Sequence, residues 1–231
     1  MYKLLFWAAV MPPLFLMWKV YQMDKIEKEP IGLLVKLCIL GAVACIPAGL
    51  IENALEEGLL KNLIAPSSIL YAAIANFIIV AGAEEGLKYL VLKKVTWNNP
   101  AFDHRFDAVV YSVATTLGFA ALENVLYVTG GGMSVALSRA LLSIPGHCIF
   151  GIYMGYYYGM AKQYSLAGDV AGEKSFLRKA IFQPLLLHGF YDFCLSTGYD
   201  IFILVFFVYI IILDVKAYRR IKKLAAEDYK M

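Results

Sequence analysis

Apolar residues run along this chain in long stretches, and the polar positions between them are short and clustered. Crossing a bilayer takes about 20 mostly apolar residues. Seven stretches qualify, at about 2–21, 31–51, 68–92, 106–129, 134–161, 178–196 and 199–217. Backbone polar groups cannot be left unpaired in hydrocarbon, so each stretch is expected to be a helix. The pattern therefore predicts an all-α fold, a polytopic membrane bundle of about seven transmembrane helices. Lys19, Lys25 and Lys28 follow the first stretch, Lys93, Lys94 and Arg105 the third, Lys162, Lys174, Arg178 and Lys179 the fifth, and a basic run from Lys216 to Lys223 the last. The alternate connections, 52–67, 130–133 and 196–198, hold Lys61 as their only basic residue. Positive charge stays inside, so the N-terminus is expected outside and the C-terminus in the cytoplasm. Within the first outer connection, Leu55, Leu59 and Leu63 share one stripe. That predicts a short amphipathic helix on the membrane surface over 52–64, a connector more readily than a substrate guide.

Composition agrees with the pattern: 61% of the 231 residues are hydrophobic and 17% charged, with a mean hydropathy of +0.65. The lipid bilayer is the expected solvent. A net charge of +3 carried by basic residues between the apolar stretches excludes nucleic acid as an expected partner. Of the four cysteines, Cys38 and Cys45 lie two turns apart on one helix, and Cys148 and Cys194 are isolated, so neither disulfides nor a cysteine metal site are expected. Lys3 and the apolar run after it look like a leader peptide, but Pro12-Pro13 interrupt the run and no small-residue cleavage site follows, so a retained helix is expected. Without repeats or linkers, 1–231 reads as a single transmembrane domain with its catalytic core at about 68–196.

The chemistry lies in ionisable residues inside the apolar stretches. Each costs about 2.5–3.5 kcal/mol on insertion scales, so each needs a partner or a function. The third stretch carries Glu84-Glu85-Gly86-Leu87-Lys88, where Lys88 can neutralise one glutamate and leave the other to act as a general base. On the fourth, Ser112, Thr116, Ala120, Glu123 and Tyr127 form one small and polar stripe, with Asn124 beside it. The fifth holds Pro145-Gly146-His147 followed by Gly151, Gly155 and Gly159, a ladder of small residues that admits a close neighbour, after an expected kink at Pro145. In the sixth, His188 and Asp192 are one turn apart, so the carboxylate can fix the imidazole tautomer. Each group alone could serve packing; four helices each contributing a Glu, His or Asp point to water activated within the membrane. Glu84 or Glu85 would be the base, and His147 and His188 would hold the water, a metal or the oxyanion. A proton-coupled transporter or channel, or a scaffold without activity, could carry the same residues, although the inverted repeats of a transporter are not visible.

The blocks Glu84-Glu85-Gly86-Leu87-Lys88-Tyr89, Phe106-Asp107-Ala108-Val109-Val110-Tyr111, Leu117-Gly118-Phe119-Ala120-Ala121-Leu122-Glu123-Asn124-Val125-Leu126-Tyr127, the Pro-Gly-His at His147 and Leu187-His188-Gly189-Phe190-Tyr191-Asp192-Phe193 together resemble the PrsW family of bacterial membrane proteases. Lys28-Glu29-Pro30 is similar to that family's Asn-Glu-Pro. More distantly, a double Glu followed by single histidines resembles CAAX prenyl endopeptidases and bacteriocin-processing relatives. The resemblance implies a multi-pass protein of the bacterial cell membrane that cleaves a single-span anti-sigma factor on its outer side. It implies Glu84, Glu85, His147 and His188 as catalytic residues, with Lys88, Asp107, Glu123, Asn124 and Asp192 in support. A divalent metal such as zinc, held by Glu85, His147 and His188, is left open. Asp192 stands where the wider group has Asn; a charged Asp cannot donate to an oxyanion, so it orients His188 or binds a metal.

Overall fold

The computed structural model describes residues 2–231. Seven long helices follow the apolar stretches: α1 Tyr2–Met23, α2 Ile31–Leu63, α3 Ile69–Thr96, α4 Asp107–Leu141, α5 Ser143–Leu166, α6 Val170–Ser196 and α7 Asp200–Ala226. By length and composition, five stretches could each cross a membrane: 3–23, 31–63, 69–96, 107–166 (which contains both α4 and α5) and 200–226. Exposed apolar side chains such as Leu14, Val35, Ile39, Val43 and Ile211 cover the outer faces of α1, α2 and α7, as a helix facing lipid requires.

α4 is the axis of the bundle, packed by α1, α2 and α5, with α3 and α6 closing the remaining side. Glycine makes this possible. A Cβ on Gly155 would lie 2.6 Å from the Ala108 carbonyl oxygen and from Val109 Cα, so α5 meets α4 backbone to backbone along the ladder that begins at His147. Gly118 of α4 meets the Cys38 backbone of α2 in the same way.

Three local features depart from the sequence pattern. The 52–64 segment is not a separate surface helix: α2 continues through it by way of a π turn at Glu56–Leu60. Its anchor is Leu60, buried with Tyr71, Ala75 and Ile79, whereas Leu55, Leu59 and Leu63 are exposed. Second, the expected break at 130–133 is a bend. Gly132 takes a φ of 75°, available cheaply only to glycine, and α4 resumes and runs to Leu141. The residues beyond the bend fold back so that Ala136 packs on Ala9 and Val128. Third, α5 starts at Ser143, which puts Pro145 in the first turn, where its missing N–H is not needed, so it opens the helix without kinking it. A second π turn, Ile74–Val80 in α3, lies one turn before Glu84. Such turns shift the helical phase and recur at functional sites.

Candidate active site

Burial of Glu84 and Glu85 follows from their position on α3, whose polar face turns toward α5 and α6. Glu84 is 5% exposed, and Glu85 and Lys88 are fully buried. Lys88 Nζ donates to Glu84 Oε2 and to Glu85 Oε1, both at 2.8 Å. Neither glutamate stays unpaired, contrary to the expectation from the sequence: the two carboxylates precede the lysine by four and three residues, and one ammonium reaches both. Lys88 Nζ also lies 3.4 Å from His147 Nδ1 and 4.2 Å from the centre of the Phe119 ring.

The two histidines are oriented alike. His147 directs Nδ1 at Lys88 and Nε2 at Glu123 Oε2, 3.0 Å away. His188 directs Nδ1 at Glu85 Oε1, 3.0 Å, and at Glu84 Oε2, 3.8 Å, while Nε2 meets Asp192 Oδ2 at 3.0 Å. Each imidazole thus has one nitrogen toward the glutamate pair and the other fixed by a carboxylate behind it. Phe150 stacks on His188 at 4.9 Å between ring centres and limits its rotation.

A cavity of about 540 Å³ opens beside this cluster, lined by Glu52, Glu84, Glu123, His147, His188 and Asp192 among others. Glu85 and Lys88 lie behind its wall. Glu56 and Ser196, which border the connections expected on the outer side of the membrane, also line it.

Of two further supporting residues named from the sequence, Asn124 reaches the site only through Arg139, and Asp107 lies elsewhere. Asn124 donates to the Ala9 carbonyl at 2.7 Å and accepts from Arg139 Nε at 2.8 Å. It fastens α1 and the returning end of α4. Asp107 and Glu123 are 16 residues apart on one helix, about 24 Å along its axis, so Asp107 does not reach the site. Thr116 faces Gly151 of the α5 ladder, and neither Thr116 nor the buried Ser112 lines the cavity. Arg139 and Glu52 were missed. Arg139 Nη2 pairs with Glu123 Oε2 at 2.8 Å; its signal was a lone arginine within the 134–161 stretch, which has significance only once the Gly132 bend returns it to Glu123.

The linked set contains the carboxylates of Glu84, Glu85, Glu123 and Asp192 against the fixed cations Lys88 and Arg139. Two more positive charges, such as those of one divalent metal ion, would balance it. One oxygen each from Glu84 and Glu85 and a nitrogen of His147 lie within 4.8 Å of one another, and Glu85 Oε2 is buried with no partner. Carboxylate and imidazole donors whose far nitrogens are held by further carboxylates suit a metal of the zinc type. The lysine ammonium now occupies the centre of that donor set, so an ion would compete with it for the same oxygens.

A family profile described as "PrsW family intramembrane metalloprotease" matches residues 29–215. The chain is 34% identical over 216 residues to "Protease PrsW" of Oceanobacillus iheyensis, covering 94% of both chains. To the protein of that name in Clostridioides difficile it is 33% identical, covering 90% of this chain and 86% of the other. To that in Bacillus subtilis it is 33% identical, covering 82% of each. No solved structure matches the chain.

Proposed function

The chain belongs to the PrsW family of intramembrane metalloproteases, and from its site we propose that Glu84 activates the water that cleaves a single-span membrane substrate. The observation that carries this is the unequal placing of the two neighbouring glutamates. Glu84 lines the cavity, whereas Glu85 is sealed behind it between Lys88 and His188. Lys88 holds Glu84 through Oε2, and Oε1 has no hydrogen-bond partner among the described residues. That oxygen is the acceptor for a proton from water as the water oxygen bonds to the scissile carbonyl carbon. Glu84 then returns the proton to the amide nitrogen as the C–N bond breaks, yielding a carboxylate and an amine. His147 and His188 are each kept in orientation by Glu123 or Asp192, with the other nitrogen turned toward the glutamate pair where the water is activated.

The residues that would hold the family's metal are Glu85 and His147, whose donor atoms lie within 4.8 Å of one another, with His188, whose Nδ1 lies 3.0 Å from Glu85 Oε1, as the third. When bound, an ion such as zinc supplies Lewis-acid polarisation of the scissile carbonyl and of the attacking water. Glu85 in that role uses the buried oxygen that now has no partner.

The substrate is a single-span anti-sigma factor cut on its extracytoplasmic side, the first cleavage of a cascade that releases a sigma factor. Glu56 and Ser196 at the cavity border the outer connections, which supports access from that face. The test is incubation of the purified chain in proteoliposomes with a purified single-span anti-sigma factor. Two fragments joined near the outer membrane boundary are expected, with cleavage lost on chelation and restored by zinc. An intact substrate in the presence of folded enzyme would contradict the substrate assignment, and cleavage indifferent to exhaustive chelation would contradict the metal.

A further inference from the structure

A second group of buried carboxylates sits at the end of α4 away from the catalytic cavity. Asp24 and Glu29 belong to the α1–α2 connection and Asp107 begins α4. They are 2%, 4% and 1% exposed. One oxygen from each lies within 4.8 Å of the other two.

Their hydrogen bonding is incomplete on the side where they meet. Among the described residues neither oxygen of Asp24 has a hydrogen-bond partner. Asp107 Oδ2 accepts from the backbone N–H groups of Asp103, 3.1 Å, and His104, 2.7 Å; Oδ1 has no N–H or O–H donor among the described residues, and the Asp107 carboxyl lies within hydrogen-bonding reach of Glu29. Glu29 Oε2 accepts from the Tyr111 hydroxyl. The neighbouring ammonium makes no bond to these carboxylates: Lys28 Nζ donates to the backbone carbonyls of Tyr21, 2.6 Å, and Asp24, 2.5 Å, and offsets the Asp24 charge only through space. Among the described residues, no lysine, arginine or histidine nitrogen pairs with any of the three carboxylates, whereas Asp103 next to them pairs with both His104 and Lys230. Buried carboxylates that repel one another and lack a counterion need a bound cation or a proton.

We propose that Asp24, Glu29 and Asp107 form a site for a hard divalent cation, calcium or magnesium, distinct from the catalytic donors. The donor set is oxygen only, with no imidazole or thiolate in it, and that selects calcium and magnesium over zinc. Three oxygens on two nearly inaccessible aspartates have no partner among the described residues, and one oxygen of each of the three carboxylates lies within 4.8 Å of those of the other two, a spacing that a single ion would span. The ion ties the α1–α2 connection to the first turn of α4, the helix that carries Glu123 about 24 Å further on. It contributes to assembly of the bundle and takes no part in hydrolysis.

The experiment is thermal unfolding of the EDTA-stripped full-length protein in detergent, titrated separately with calcium and magnesium at constant ionic strength. The midpoint of the wild-type protein is expected to rise by several degrees and saturate. Asp24→Asn should lose most of that rise, and Glu84→Gln, altered only at the catalytic cluster, should keep it. If Asp24→Asn does not fold, Glu29→Gln replaces it. The absence of any saturable rise in the wild-type protein overturns the site, and so does an equal rise in Asp24→Asn or Glu29→Gln. A cluster held by shared protons would show itself as Asp24→Asn melting higher than wild type with neither protein responding to cation, which also overturns the proposal. None of these results depends on catalysis, so they leave the assignment of Glu84 untouched.

Discussion

Glu84→Gln is expected to reduce cleavage of a single-span substrate by roughly a hundred- to ten-thousand-fold, the range a general base supplies, with the thermal midpoint close to that of the wild type. Glutamine keeps the volume of the side chain and can still accept from Lys88 through its amide oxygen, but it does not take a proton from water. Stability should survive because Lys88 is not abandoned: its bond to Glu85 at 2.8 Å remains. Glu85→Gln differs in kind. It removes the fully buried carboxylate shared by Lys88 and His188, so inactivation there should come with a lowered midpoint. Rates and midpoints measured in parallel for both variants check this. Wild-type cleavage by Glu84→Gln would exclude the residue as the base, and a fall in midpoint matching the loss of activity would make it a structural ion pair.

The second large effect is on stability. Lys88→Met should destabilise the protein by about 3–5 kcal/mol, the cost of removing one partner from a buried ion pair. The methionine fits the space, but Glu84 and Glu85 are then like charges in contact with no ammonium between them. Adding Glu85→Gln to Lys88→Met restores the charge balance and should recover part of the loss, since an uncompensated charge is worse than none. Unfolding in detergent of the two single variants and the double variant measures the coupling. A Lys88→Met protein that melts with the wild type would show that the ammonium is not the counterion of this pair.

Much of this arrangement was legible in the sequence because lipid enforces simple rules. Backbone groups must be paired internally, so long apolar runs had to be helices, and the seven helices lie where those runs do. The same economy exposed Glu84, Glu85, His147 and His188, since charges are not kept in hydrocarbon without cause. The small-residue ladder after His147 foretold the close contact of α5, which Gly155 makes against α4. What escaped depended on contacts between distant residues. Gly130-Gly131-Gly132 has the composition of a loop, and only packing of Ala136 against Ala9 and Val128 turns it into a bend that delivers Arg139 to Glu123. Glu52 falls in the segment expected to lie as a separate helix on the membrane surface, yet α2 continues through it and Glu52 lines the cavity. Asp107 was grouped with the site by resemblance to the family, although the length of α4 carries it to the opposite end.

The most direct test of water activation by Glu84 is cleavage in heavy-oxygen water, with the fragments weighed by mass spectrometry. Wild-type protein should yield a single new carboxylate that carries one heavy oxygen and a single new amine, and Glu84→Gln, folded and in equal amount, should yield neither. Labelled fragments produced by Glu84→Gln at the wild-type rate would contradict the account, as would a substrate left whole by folded wild-type protein.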